Sequence, residues 1–332
     1  MPKGFAPDTT SPTPEIATVE VLPADQLKVN TIELENFRLK LPIGFFVNGR
    51  RLQQFSLKPL TGEIELFIRR KMKARLDLHV KFAQLFSQTV ETIGDCSVPE
   101  LARELSCSPE QLFQRMWFAD ALSILLNMRL AKQEGEKIFL SGQCPQCQRM
   151  TKDDEYTYHD LSQLEVNVPQ RLNAPAVAYS LDCPFNILGQ GEDDEAHMAR
   201  CFHLRPLKLF EAQKLFSTGD ASPGLTSLLL MYQLVCHLPG IAEYADLKGG
   251  IMNDDLYVRM GERDRRQLIH LSEKLLQWGP NLRISMECDN LMCGYRWEQA
   301  IPWGSLETFL LGLNSPAWRA IPHRRHLLFD LR

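Results

Sequence analysis

Two pairs of closely spaced cysteines, Cys144 with Cys147 and Cys288 with Cys293, constrain what this chain can fold into more than any other feature. A C-x(2–4)-C turn delivers two sulfurs from one loop, and zinc takes four such soft ligands in a tetrahedron. The pairs lie far apart in sequence, so one shared four-cysteine site requires two distant segments to be folded against each other. The residues leave three arrangements open: one shared structural zinc, two knuckles without metal, or separate sites completed by His159, His203, Cys183 or Cys201. Gly294, directly after the last cysteine, suits the sharp turn of a knuckle. A redox role for Cys144-Pro145-Gln146-Cys147 lacks the βαβ pattern that surrounds thioredoxin-like motifs.

Nine cysteines are an odd number, and no charged segment followed by an apolar run and a small-residue cleavage site opens the chain. Reduced thiols in a cytoplasmic protein are expected, not a disulfide framework. The longest apolar stretch, residues 224–238, is interrupted by Thr226, Ser227, Gln233 and His237 and falls short of the roughly 20 residues of a membrane span. It reads as a buried helix, and no membrane insertion is expected. A formal net charge of -4 with 23% charged residues supplies no broad basic surface for nucleic acid or anionic lipid, so protein partners are the default.

Residues 1–28 are rich in proline, threonine and serine and read as a flexible arm. Phe37, Leu39 and Leu41 alternate with polar residues, and Asn48-Gly49 marks a tight hairpin whose return strand ends at Pro59. A helix is expected from Thr61 to about Ala74. Another follows from the spacing of Val80, Phe82, Ala83, Phe86, Val90 and Ile93, stopped by Gly94. Ser97-Val98-Pro99-Glu100 and Ser108-Pro109-Glu110-Gln111 each set a hydroxyl cap three residues before a Glu or Gln, with proline in the first turn. The second start predicts a helix running through Trp117 to about Leu130, apolar nearly all round and therefore central. Strands are expected over 137–140 and 155–158 around the first knuckle. A second set comprises a helix over 225–238, a helix over 262–278, and strands over 282–287 and 295–300 around the second knuckle.

Phe55-Ser56-Leu57-Lys58-Pro59-Leu60 and Phe202-His203-Leu204-Arg205-Pro206-Leu207 share the pattern F-x-L-[KR]-P-L. A leucine-rich helix and a strand-knuckle-strand unit follow each at similar distance. The expected fold is α+β with two tandem related halves, each combining a hairpin or short strands, a helical bundle and a zinc-ribbon-like element. The halves span residues 29–170 and 171–313, and a basic, aromatic tail occupies 314–332. A single α+β domain with coincidental echoes is the alternative.

No G-x-S-x-G elbow, phosphate-binding glycine loop or H-E-x-x-H motif occurs, and the eight histidines are scattered singly. Asp153-Asp154-Glu155 and the acidic loop 189–195 read as solvated runs, as do the charges at the start of the 262–278 helix. No catalytic residue and no small-molecule substrate is expected. His323-Arg324-Arg325-His326, flanked by Trp318, Leu327, Leu328 and Phe329, forms the clearest basic cluster, suited to docking a partner or to folding back on its own domain.

Taken in order, Leu41-Pro42-Ile43-Gly44, the segment FSLKPLTGEIE at 55–65, the first knuckle, and CDNLMCGYRW at 288–297 resemble the T-even-type phage baseplate protein family, members of which occur in contractile injection systems. The resemblance runs from about Phe37 to Leu313. It implies a non-enzymatic structural or assembly role in a baseplate or its hub, with other baseplate proteins as partners. The chain departs from that pattern in having Gln148 in place of glycine after the first knuckle and four residues between the cysteines of the second. A zinc-knuckle regulator that binds nucleic acid, or a metal-dependent hydrolase using the acidic loops, are the readings from other classes.

Overall fold

The computed structural model describes residues 22–59, 61–72, 77–132, 134–152, 158–170, 172, 176–186, 198–212, 234–236, 260–301 and 310. Strand β1 (Leu22–Pro23) pairs in parallel with Val177 and Ala178, and β2 (Val29–Glu33) begins six residues later. The proline-rich arm expected over 1–28 therefore has its last part, 22–28, tied into the fold. Residues 1–21 lie outside the described residues.

Strand β3 (Lys40–Val47) turns back through Asn48-Gly49 into β4 (Arg50–Leu57). Both turn residues have positive φ, 50° and 72°, as the expected hairpin turn requires. Helices α1 (Gly62–Met72) and α2 (Leu78–Thr89) follow. The helical spacing extends to Ile93, but the helix ends at Thr89 and Val90–Ile93 forms β5, paired with β4. Two influences favour the strand here: β4 would otherwise leave a row of backbone groups unpaired, and Val90 and Ile93 are β-branched. Gly94, with φ of 59°, turns the chain from β5 into β6 (Cys96–Ser97) and does not cap a helix.

Both serine caps close as expected. Ser97 opens α3 (Val98–Glu104), its amide and hydroxyl both donating to the Glu100 carboxylate, and Ser108 opens α4 (Pro109–Gln114) with reciprocal hydrogen bonds to Gln111. The helix expected to run unbroken through Trp117 is interrupted. Trp117 is extended because its neighbours bond to a distant segment: the Phe118 amide donates to the Leu207 carbonyl at 2.8 Å, and the Leu209 amide to the Met116 carbonyl at 2.9 Å. Helix α5 (Phe118–Leu130) then starts afresh, and every residue from Ala119 to Leu130 is buried.

Beyond α5 lie the short strands β7 (Lys137–Ile138), β8 (Ser141–Gln143), β9 (Met150–Lys152) and β10 (His159–Asp160). Then come β11 (Glu165–Pro169), β12 (Val177–Asn186), β13 (Met198–Leu204) and β14 (Leu234–Cys236). The helix expected over 225–238 is contradicted at its described residues, where β14 pairs with β13; the rest of that stretch lies outside the described residues, as do the acidic runs 153–157 and 189–195 and the tail 314–332. Helix α6 (Glu262–Leu276) stops at Gly279-Pro280, which forms β15 (Gly279–Pro280). Strands β16 (Arg283–Glu287) and β17 (Arg296–Ala300) complete the described elements.

The fold is mixed α+β. Four-stranded sheets β1-β12-β13-β14 and β3-β4-β5-β6 accompany a three-stranded sheet β15-β11-β2 and two-stranded ribbons. Each apolar cluster draws residues from both sides of position 170. Ile284, Met286, Ile301 and Leu310 pack with the helices of the earlier part, whereas Ile43 and Ala119 pack with Phe202, Leu204, Leu268 and Trp278. Residues distant in sequence therefore share each apolar cluster.

Two buried carboxylates hold irregular strands in place. Asp120, in the first turn of α5 and wholly buried, accepts the amides of Ile43 at 2.8 Å and Gly44 at 2.9 Å where β3 slips register against β4. Asp264, in the first turn of α6 and 1% exposed, accepts the amides of Asp182 at 2.9 Å and Cys183 at 3.1 Å where β12 slips against β13. Backbone amides freed from the ladder by a bulge need acceptors when buried, and a carboxylate supplies two.

Candidate metal centre

The ribbons β8-β9 and β16-β17 each carry one cysteine pair in the turn between their strands. In the first, the Cys144 amide donates to the Arg149 carbonyl and the Gln148 amide to the Cys144 carbonyl, both at 2.9 Å. In the second, the Cys288 amide donates to the Tyr295 carbonyl at 2.9 Å, and the amides of Cys293 and Gly294 donate to the Asn290 carbonyl. Gln148 and Gly294 have φ of 60° and 56°, so both turns use a left-handed residue after the last cysteine. Glycine adopts that conformation freely, whereas Gln148 does so at a cost of about 1 kcal/mol. Its side chain donates to the Pro145 carbonyl at 3.0 Å, and its own carbonyl accepts from Gln143.

The longer spacing of the second pair does not displace its sulfurs. The Asn290 side chain accepts the Met292 amide at 3.2 Å, and the additional residues loop outward, leaving Leu291 100% and Met292 95% exposed. The left-handed Gln148 and the longer second loop are thus both accommodated by local backbone geometry.

The ribbons meet closely. A Cβ on Gly142 would lie 3.2 Å from the Trp297 ring and 3.0 Å from the Gln299 side chain, so any larger residue on β8 there would have to push these side chains of the other ribbon aside. Arg149 pairs with Asp289 across the gap at 3.0 Å. The result is that Cys144, Cys147, Cys288 and Cys293 bring all four Sγ atoms within 4.8 Å of one another. Cys144 Sγ lies 3.8 Å from Cys293 Sγ, and Cys147 Sγ lies 3.5 Å from Cys288 Sγ. Four sulfurs at the usual zinc–thiolate distance of about 2.3 Å define a tetrahedron with edges of about 3.8 Å, so the donor set fits a four-coordinate metal ion.

Backbone amides aim at the sulfurs, as a thiolate cluster requires. The Arg149 amide, opposed by burial and assisted by the neighbouring sulfurs, brings Cys147 down to about 7. At Cys288 the Asn290 amide acts downward, but burial and the three other sulfurs push the thiol up to about 12. At Cys293 the Tyr295 amide also acts downward against burial and the sulfurs of Cys147 and Cys144, and the net direction is up. One readily formed thiolate among resisting neighbours is the signature of four sulfurs crowded together, and a dication at their centre removes the conflict.

Among the described residues this is the one group of three or more metal-ligating side chains that close together, and the four candidate cysteines are its members. The candidates for separate sites lie elsewhere. His159 is in β10, Cys201 and His203 are in β13, and exposed Cys183 sits by Gly261 and Asp264. Sequence reasoning missed Gly142 and the Arg149–Asp289 pair, which carry no spacing signal because each works only across the two ribbons. No helix among the described residues is long and apolar enough to cross a membrane. No protein-family model, curated protein or solved structure matches the chain.

Proposed function

We propose that this protein is a non-enzymatic structural or assembly component of the baseplate of a contractile phage-tail-like machine, built from two α+β halves of one plan and locked by one structural zinc shared between them. The observation that carries the structural, metal-locked part of the reading is the closed set of four cysteine sulfurs drawn from two distant ribbons. Catalytic zinc keeps a position for water or substrate, whereas four protein thiolates fill the tetrahedron and leave the ion a purely structural task. A metal that joins segments 141 and 149 residues apart removes much of the freedom of the intervening chain.

The tandem reading is supported by a recurring arrangement. In each half a hairpin strand with a register shift is held by an aspartate three residues after the helix N-cap, and the partner strand ends in F-x-L-[KR]-P-L. The helix then leads to a ribbon bearing two cysteines. The baseplate assignment and its partners, other baseplate or hub proteins, rest on the resemblance of the 55–65 and 288–297 segments, which form the β4–α1 junction and the second ribbon. A nucleic-acid-binding role is disfavoured by the ribbon surface: Arg149, Arg283 and Arg296 face Asp289, Glu298 and Glu287 and present balanced charge to solvent.

The test has two parts. Elemental analysis of untagged protein should find one zinc per chain, lost in both Cys144→Ser and Cys288→Ser. Purification from cells producing such a machine should bring sheath, tube or baseplate proteins with it. Protein that elutes alone from those cells overturns the assembly role, and zinc-free protein overturns the lock.

A further inference from the structure

The four sulfurs differ in how they meet solvent. Cys147 is exposed and Cys293 half-buried, whereas Cys144 is 0% and Cys288 5% exposed. All four sulfurs lie within 4.8 Å of one another, and two contacts across the ribbons join unlike members: accessible Cys147 lies 3.5 Å from buried Cys288, and accessible Cys293 lies 3.8 Å from buried Cys144. In a zinc knuckle the exposed thiolate is the one that meets a dissolved oxidant, and the sulfur against it decides which bond forms next.

We infer that the centre is a peroxide-responsive switch whose oxidation expels zinc and replaces it with two disulfides across the ribbons, Cys147–Cys288 and Cys144–Cys293. The inference rests on the structural-zinc reading given above. A hydroperoxide transfers one oxygen to the Cys147 thiolate, breaking the O–O bond and releasing water or alcohol, to give a sulfenic acid. The Cys288 thiolate attacks that sulfur and expels hydroxide, which takes up a proton to become water. Cys293 and Cys144 repeat the sequence with a second hydroperoxide. Four thiolates lose four electrons in all, two hydroperoxides accept them, and zinc leaves as the divalent ion with its oxidation state unchanged.

The pairing has a structural consequence. Disulfides within each knuckle, Cys144–Cys147 and Cys288–Cys293, would leave the ribbons unlinked once zinc departs. Cross-ribbon disulfides keep the same segments joined by covalent bonds, so the protein passes from a metal-locked to a disulfide-locked form without releasing β16-β17 from the core it covers. Reduction by a dithiol restores the four thiols for reloading.

The experiment treats full-length, zinc-loaded protein with graded hydrogen peroxide, follows zinc release with a chromogenic chelator, and maps disulfides by mass spectrometry of the alkylated, non-reduced digest. Zinc is quantified before oxidant is added. The expected result is about two equivalents of peroxide per zinc released, with peptides joining Cys147 to Cys288 and Cys144 to Cys293. Cys147→Ser, if it retains zinc, should slow release by about tenfold or more, because the remaining accessible sulfur is only half-exposed. The wild-type disulfide map needs no variant and stands if that substitution prevents folding. Zinc-loaded protein that yields knuckle-internal disulfides, or sulfinic acids without disulfides, overturns the switch while leaving the structural zinc intact. Protein without zinc at the start overturns the metal reading and this one with it.

Discussion

Replacing Asp120 with asparagine should change the stability of this protein in a way that depends on pH, and the dependence can be worked out from the clasp on β3. The carboxyl is 0% exposed, and burial pushes it up to about 7, opposed by the Ile43 and Gly44 amides and by the nearby Arg51 guanidinium. In the unfolded chain the same group titrates near 3.9. The fold therefore holds the proton more tightly than the unfolded chain does. The stability this confers is fully present below about pH 4 and is lost as pH rises through about 7. At about 1.4 kcal/mol per unit, the wild type should lose roughly 2–3 kcal/mol from this group between pH 5 and pH 8. Asparagine does not titrate. It presents one oxygen and one amide to two backbone donors, whereas the protonated carboxyl keeps a hydroxyl oxygen that can still accept from the second, so in the variant one N–H is left without an acceptor at a cost of about 1–3 kcal/mol. Asp120→Asn should thus be the less stable protein at pH 5, and the gap should close by roughly 2–3 kcal/mol by pH 8. Urea unfolding followed by the fluorescence of the tryptophans, one of which caps α5, measures both proteins across the range. A gap that stays constant from pH 5 to pH 8 would show that the carboxyl is ionised throughout and that its partners offset burial, refuting the reasoning.

Asp264→Ala removes the acceptor of the Asp182 and Cys183 amides and of the Tyr179 hydroxyl, and should lower the unfolding free energy by about 2–5 kcal/mol in the same urea assay. Gly44→Ala places a Cβ 2.4 Å from the Leu52 carbonyl oxygen at a φ of 86°, so a loss of about 2–4 kcal/mol is expected in thermal melts. Gln148→Gly relieves the left-handed strain of the first knuckle and should leave stability unchanged or raise it by up to about 1 kcal/mol, with zinc content unaltered by elemental analysis. Leu291→Asp with Met292→Asp touches only fully or almost fully exposed side chains and should shift unfolding by no more than about 0.5 kcal/mol; a larger loss would place the knuckle tip in the core.

The sequence by itself determined the features whose physics is local. Ser97 and Ser108 cap helices because the Glu or Gln that completes each box lies three residues away. Asn48-Gly49 turns a hairpin because both residues tolerate positive φ, and the alanines and leucines between Ala119 and Leu130 recur as a helix requires; the polar stripe of Asp120, Ser123 and Asn127 on that helix is buried only because all three bond the backbone of residues 39–44. The four cysteines were legible as candidate ligands for the same kind of reason, since each pair sits within one turn. Tertiary structure decided whatever depended on a distant partner. Val90 and Ile93 keep helical spacing yet form a strand because β4 needs a neighbour, Trp117 breaks a helix because residues 207–209 pair beside it, and Leu234–Cys236 extends along β13. Asp120 and Asp264 look in sequence like ordinary first-turn acids; they become clasps only where a bulge far along the chain delivers two unpaired amides. The same holds for the centre itself. Spacing marks out two half-sites, but only the packing of Gly142 against Trp297, and of the ribbons that carry them, brings the sulfurs to the separation a single metal ion requires.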